Sequence, residues 1–365
     1  MTKLTLAAIT AFLAAAGSAN AGEIERRGDP SMLLFVEGKN YVEVSASTVQ
    51  PSVSGAPRGV PTGPTGNIQE GYQSFAGGYK HQLNEKVALA FVIDEPVGAS
   101  VNYNRPGAFF SGSNAEVNSI AFTGLAKYQV NDQVSVYGGL RYMGLSGNIL
   151  VISPATGGSP VAPPAPYTLN VDKDYQFGYL LGAAYEIPSI AMRVALTYES
   201  KTEHDFNDNN GTPFEVEIPQ AFTLHAQSGI AADTLLFGSV KWREWTKFKV
   251  QPADFFQFSP APVNVPIASG TSDVWTYELG LGRKFNKNWS GAAILGYEKD
   301  EGDVVGNLSG KDGYISYGLA VTYETEALKV TTGIRYFDIG NANTSVSSFS
   351  NNDAIAFGTK VGFKF

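Results

Sequence analysis

Apolar and polar side chains alternate with a period of two along most of this chain, the spacing of strands with one greasy face. In the closing stretch from Asn351, residues Ile355, Phe357, Val361, Phe363 and Phe365 fall on one face, with Ala354, Ala356, Lys360 and Lys364 on the other. Runs of this kind between turn residues predict strands at about Asn40–Val49, Ser74–Leu83, Lys86–Ile93, Glu116–Val130, Gln133–Ile149, Asp174–Glu186, Ala191–His204, Phe214–Ile230, Thr234–Trp245, Val274–Phe285, Asn288–Glu298, Gly313–Glu324, Leu328–Ile339 and Asn351–Phe365. The outward sets include Val87, Leu89, Phe91 and Ile93; Val134, Val136, Leu140 and Tyr142; Phe177, Tyr179, Leu181 and Tyr185; and Ile315, Tyr317, Leu319 and Val321. Aromatics at strand ends, such as Tyr128, Tyr198, Phe285, Trp289 and Phe365, are spaced to form two interfacial girdles.

The connections alternate in length. Asn84-Glu85, Asn131-Asp132, Asn286-Lys287 and Thr325-Glu326-Ala327 are tight turns, whereas Gln50–Tyr72, Gly98–Ala115, Ser153–Lys173 and Thr246–Asp273 are long. A soluble sandwich has no reason to keep that asymmetry. The pattern predicts an all-β fold, a transmembrane antiparallel β-barrel of about 14 strands with short periplasmic turns and long extracellular loops.

The N-terminus agrees with export. Lys3, the apolar run Leu4–Ala16 and the small-x-small site Ala19-Asn20-Ala21 predict a signal peptide over residues 1–21. A short N-terminal segment, residues 22–39, would lead into the barrel, residues 40–365. Nowhere do eighteen consecutive apolar residues occur, as a membrane helix would need. The chain lacks Cys, which removes disulfides and thiolate chemistry. A net charge of −8 without a basic run excludes nucleic acid as a partner. Three His, no G-x-S-x-G and no metal-spaced cluster leave no catalytic site, metal or cofactor to propose.

The inward face is mixed. Tyr137, Arg141 and Met143 share it, as do Phe237, Lys241 and Arg243, and Arg335 stands near Phe337. Isolated cations among aromatics suit an amphipathic ligand with an anionic head. The alternative is that they balance lumenal carboxylates such as Glu199 and Glu278. The loop around Phe255, Phe256 and Phe258 is apolar where an exposed loop should be polar, which marks either a docking groove or loops packed on one another. One strand carries an interruption, Asp94-Glu95-Pro96-Val97-Gly98: Pro96 cannot donate to a ladder and Gly98 permits a bulge, so the strand either ends there at the rim or opens the wall.

The stretch Ile218-Pro219-Gln220-Ala221-Phe222, the block Asp233 to Trp242 with Trp245, and Asn286-Lys287-Asn288-Trp289 leading to Leu295-Gly296-Tyr297 resemble the FadL/TodX family of long-chain fatty acid and hydrocarbon transporters. The resemblance implies a monomeric outer-membrane barrel with an N-terminal hatch and a kinked third strand opening sideways. Asp94, Pro96 and Gly98 would stand at that kink. Asp29-Pro30-Ser31 would stand where the hatch carries Asn-Pro-Ala, in a shorter segment with two of the three residues changed. The function expected is passive uptake of fatty acids or other hydrophobic small molecules. Lipopolysaccharide and outer-membrane lipid would surround the barrel, and the assembly machinery would engage the strand ending in Phe365. The rival functions are a porin for polar solutes and a structural or adhesive surface barrel.

Overall fold

The computed structural model describes residues 24–152, 166–258, 262–302 and 304–365. In chain order its main strands are β1 (Asn40–Ser52), β2 (Tyr72–Gln82), β3 (Val87–Asp94), β4 (Gly98–Asn102), β5 (Asn114–Gln129), β6 (Val134–Val151), β7 (Tyr167–Ile187), β8 (Met192–Glu199), β9 (Thr202–Asn207), β10 (Pro213–Ile218), β11 (Ala221–Ala231), β12 (Thr234–Arg243), β13 (Val274–Lys284), β14 (Trp289–Glu298), β15 (Tyr314–Glu324), β16 (Leu328–Ile339) and β17 (Asn352–Lys364). All but β4, β9 and β10 make a closed antiparallel barrel of 14 strands. The ring closes where β1 meets β17, from Tyr41↔Lys364 to Ser52↔Asp353. The predicted signal peptide lies outside the described residues, as does most of the loop between Ile152 and Tyr167.

Alternation decides which face each residue takes. Phe177 is 70% exposed, Leu140 65% and Leu319 64%, while Tyr137, Met143 and Leu180 on the opposite face are buried. A continuous band of large exposed apolar side chains is unstable in water and stable against lipid. Three of the short turns share one device. Asn84 Oδ1 accepts from the N–H groups of Lys86 and Val87, both at 2.9 Å, and Asn131 and Asn286 repeat it at their own turns. An Asn side chain that folds back on its own backbone turns the chain in two or three residues, which accounts for three of the predicted turns.

Three predicted strands differ from the structure. Those expected over Ala191–His204 and Phe214–Ile230 are each broken, into β8 and β9 and into β10 and β11. The breaks face each other, since Glu199↔Ala221 and Thr202↔Ile218 lie either side of them, and Pro219 has no N–H to continue the ladder. The third barrel strand does not end at Pro96. It resumes as β4 on the same partner, with Asp94↔Ala121 before the break and Gly98↔Asn118 after it. Between the two pairs the chain carries one residue more than β5 does, the count of a bulge.

From Ile24 the chain lies inside the barrel. Asp29 caps a 3-10 helix, Pro30–Phe35, its Oδ1 accepting from Ser31 N–H at 2.8 Å. Leu33, Leu34 and Phe35 are buried against Ala88, Ala90, Val92, Leu125 and Leu180 of the inner wall, with Phe35 edge-on to Tyr137 at 5.4 Å. Burial of three such side chains contributes about 1.5–3 kcal/mol each, enough to hold a segment with no ladder of its own over this turn.

Candidate functional site

The break between β3 and β4 opens a window in the wall. The ladder between β2 and β3 stops at Gly77↔Ile93, so Tyr72–Ala76 of β2 pair with β1 alone. Above, the gap is closed again by a bridge from Gln69 to Val101, with Glu70 N–H donating to Ser100 O at 3.1 Å. The backbone groups in between are satisfied from inside the barrel. Arg26 N–H donates to Pro96 O at 2.8 Å, Gly98 N–H to Ile24 O at 2.7 Å, and Glu25 bridges Val97. Glu95 accepts from Phe75 N–H at 3.3 Å, while Ser119 Oγ accepts from Val97 N–H at 3.0 Å. Backbone left unpaired at membrane depth costs several kcal/mol per group, so this break persists because the N-terminal segment and two side chains complete it.

The same segment divides the lumen. Above it, a cavity open to solvent and spanning about 1060 Å³ is lined by Val49, Val101, Val117, Ile149, Phe248 and Val250, with Ile24, Arg26, Tyr72 and Gly98 at its window side. A wholly apolar branch of about 400 Å³ runs off it beneath Phe206, Phe214 and Val216 of the β9–β10 hairpin. Toward the loops it meets a vestibule of about 640 Å³ between Phe110, Phe255, Ile267 and Leu308. Below the segment, a chamber of about 1550 Å³ carries Glu43, His225, Lys241, Glu278, Lys329 and Lys360 beside Met32, Leu33 and Phe237. Apolar side chains predominate in both spaces, and each also carries charges, Glu25, Arg26, Glu70 and Lys311 in the upper one and Glu43, Lys241, Glu278, Lys329 and Lys360 in the lower.

The lumenal cations are engaged, as the alternative reading of the sequence expected. Arg141 pairs with Glu199 at 2.7 Å, Arg243 lies 3.6 Å from Glu199 and 3.4 Å from Glu25, Lys241 pairs with Glu25, and Arg335 pairs with Glu278 at 2.6 Å. Arg141, Glu199, Arg243, Glu25 and Lys241 form a chain from β6 to β12, with the N-terminal segment tied in through Glu25. Tyr137 bonds Thr197 Oγ1 at 2.8 Å beneath Phe35, and Met143 packs in the core beside Thr202. Phe237 and Lys241 line the lower chamber, whereas Arg141, Met143, Arg243 and Arg335 line none of these spaces. Phe255 is buried edge-on against Tyr167 at 4.9 Å, packed within the loops and not presented outward. The backbone of Phe256 and Phe258 forms a short strand, and their side chains lie outside the described residues. Asp94 faces the lower chamber, Pro96 supplies the carbonyl that Arg26 bonds, and Gly98 lines the upper cavity.

Sequence reasoning missed the residues that the N-terminal segment brings to the window, Ile24, Glu25 and Arg26. Periodicity could not find them, because the segment has no strand pattern. The one signal was Gly98: a Cβ there would collide with the Arg26 guanidinium, so the wall glycine marks a close approach.

No curated protein sequence matches the chain significantly. Among solved structures it is similar to a Pseudomonas aeruginosa FadL homologue, at 15% identity and TM-score 0.75 over 92% of this chain and 93% of that one. It is also similar to the Pseudomonas putida toluene transporter TodX, at 12% identity and TM-score 0.67 over 97% and 99% of the two chains. The Ralstonia pickettii toluene transporter TbuX matches at 12% identity and TM-score 0.62 over 92% of each. At such identities these likenesses carry the fold. The sequence profile described as "Outer membrane protein transport protein (OMPP1/FadL/TodX)" matches residues 10–301, most of the chain. The chain therefore belongs to this outer-membrane family of uptake channels for hydrophobic compounds.

Proposed function

We propose that hydrophobic solute enters between the loops at the vestibule, settles in the upper cavity, and leaves sideways through the window between β2 and β4 into the membrane. The observation that carries this reading is the position of the window. It opens beside the upper cavity, whose lining is mostly apolar, and residues 24–26 cross it from within. Downward passage would first have to displace Leu33, Leu34 and Phe35 from the inner wall, and would then pass the Glu278–Arg335 and Lys360–Glu43 pairs, whose desolvation costs free energy. Solved relatives described as toluene transporters, and a FadL homologue, support small hydrophobic molecules as cargo. The barrel closes on its own first and last strands, which suits a monomer, and Phe365 stands exposed at its end for the assembly machinery. No step calls for ATP, metal or covalent chemistry.

The test is uptake of radiolabelled toluene and fatty acid by cells expressing the protein, beside single-channel recording of the purified barrel. Faster uptake than in the empty-vector control, without steps of conductance, is expected. Large conductance with control-level uptake would favour the polar-solute porin.

A further inference from the structure

The β9–β10 hairpin stands apart from the barrel that carries it. It forms a two-stranded sheet of its own, from Thr202↔Ile218 to Asn207↔Pro213, and among the described residues no backbone–backbone hydrogen bond ties residues 202–218 to the wall. Its two roots are the facing breaks. Ser200 N–H makes the last rung on β7, to Tyr179 O at 2.9 Å, and Pro219 has no N–H to offer. The polar contacts that hold the hairpin down run through side chains. Asp174 of β7 accepts from Asp205 N–H at 3.2 Å, and its carboxylate lies 3.4 Å from His204 Nδ1. At the tip, Asp254 accepts from Asn209 N–H at 3.2 Å and Asn209 Nδ2 at 2.9 Å, while Asp208 accepts from Asp254 N–H at 3.1 Å. Asn209 Nδ2 also donates to Thr168 O at 2.9 Å, and Thr202 Oγ1 touches the Met143 sulfur at 4.0 Å.

The two faces of the hairpin look onto different spaces. Phe206, Phe214 and Val216 roof the apolar branch of the lumen. Glu203, Asp205, Glu215 and Glu217 face the other way, onto an outside groove floored by Phe177, Tyr179 and Tyr198 of the aromatic girdle. These carboxylates stand directly opposite one another, Glu203 against Glu217 and Asp205 against Glu215, a pairing that weakens the hairpin and keeps its outer face in water. A unit joined at two breaks and held by a few side-chain bonds opens at far lower cost than a barrel rung breaks. We infer that the β9–β10 hairpin is a hinged door, through which hydrophobic solute dissolved in the outer leaflet passes from the groove into the apolar branch. This rests on the uptake reading above and adds to it a way in that starts from the membrane. In water, opening exposes Phe206, Phe214 and Val216 and is disfavoured; an apolar solute in the groove covers them and so favours the open position.

The chain has no Cys, so introduced thiols are the sole targets of thiol reagents. In the full chain, Asn209→Cys with Asp254→Cys is bridged by a short bifunctional methanethiosulfonate, the bridge is verified by mass spectrometry, and uptake of radiolabelled fatty acid by cells is compared before bridging, after it, and after release with dithiothreitol. Most of the uptake should be lost on bridging and regained on release. Movement is read separately, as the rate at which a charged, water-soluble maleimide modifies Val216→Cys on the inner face. Adding Asp174→Ala and Asp254→Ala should speed that reaction about tenfold, the gain in open population when about 1.4 kcal/mol of latching bonds is lost. Unchanged uptake in the bridged protein, or a modification rate that the two Ala substitutions leave unaltered, overturns the inference. If the wild type itself takes up no more than the empty-vector control, the uptake reading fails and the door's role fails with it, a result distinct from wild-type uptake that the bridge leaves unchanged.

Discussion

Glu25 makes two kinds of contact at once. Its backbone bridges Val97 in the wall break, and its carboxylate joins Lys241 and Arg243 on the far side of the lumen. Removal of one member of a buried charge group leaves its partners uncompensated, at a cost of about 3–5 kcal/mol. Glu25→Gln should therefore loosen the N-terminal segment more than the barrel. Trypsin cleavage at Arg26 or Arg27 in the folded protein should become faster, while the heat-modifiable gel mobility of the barrel is kept; unchanged cleavage would show that the segment is held by its apolar contacts alone. At Gly280 the constraint is steric. A Cβ there would collide with the ring of Phe237, so Gly280→Ala should destabilise the barrel by about 1–3 kcal/mol in urea titration from lipid vesicles, and a neutral result would mean that the ring has room to turn.

At the scale of the element, the single extra residue between Asp94 and Gly98 creates the window. Deletion of Pro96 restores one register along β5, and β3 should then run into β4 as a single strand. Uptake should fall to the empty-vector level while the barrel folds normally; full uptake by this variant would rule out the window as the route. The loop after β14 responds to pH. Asp312 is pushed up to about 6 by burial and by a hydrogen bond with the Asp300 carboxyl, against backbone bonds from Glu301 and Gly302 that pull it down. A carboxyl that is raised in the folded loop holds its proton more tightly there than in the open one, so its stabilising effect is complete below the ordinary value near 3.8 and fades as pH rises through about 6. Amides of Glu301 and Gly302, which donate to Asp312 at 3.0 and 2.8 Å, should thus be better protected at pH 5 than at pH 8 after correction for intrinsic exchange. Asp312→Asn should flatten that difference.

For the whole molecule, the lumen is continuous only in outline, because residues 24–36 separate its upper space from the lower one. In-frame deletion of Ile24–Val36 leaves every barrel ladder intact and joins the two spaces. Stable ion conductance is expected from that variant and not from the full chain. If both conduct alike, the segment does not seal the barrel.

Alternating side chains and Asn turns are local properties, and they alone determined the barrel, its strand count and its lipid face. Period two sets facing residue by residue, and an Asn side chain closes its own turn, so neither needs knowledge of distant parts of the chain. The break at Pro96 was visible too, although its continuation as β4 was not, since proline only removes a donor and the path of the chain beyond it depends on a partner strand. Facing also placed Arg141, Lys241, Arg243 and Arg335 in the lumen and left open whether carboxylates hold them, which the contacts with Glu199, Glu278 and Glu25 of the N-terminal segment decided. Only tertiary structure decided that an unpatterned segment beside the barrel would cross its window, set Arg26 against Gly98 and divide the lumen. Those contacts join residues far apart in sequence, where no periodicity carries a signal.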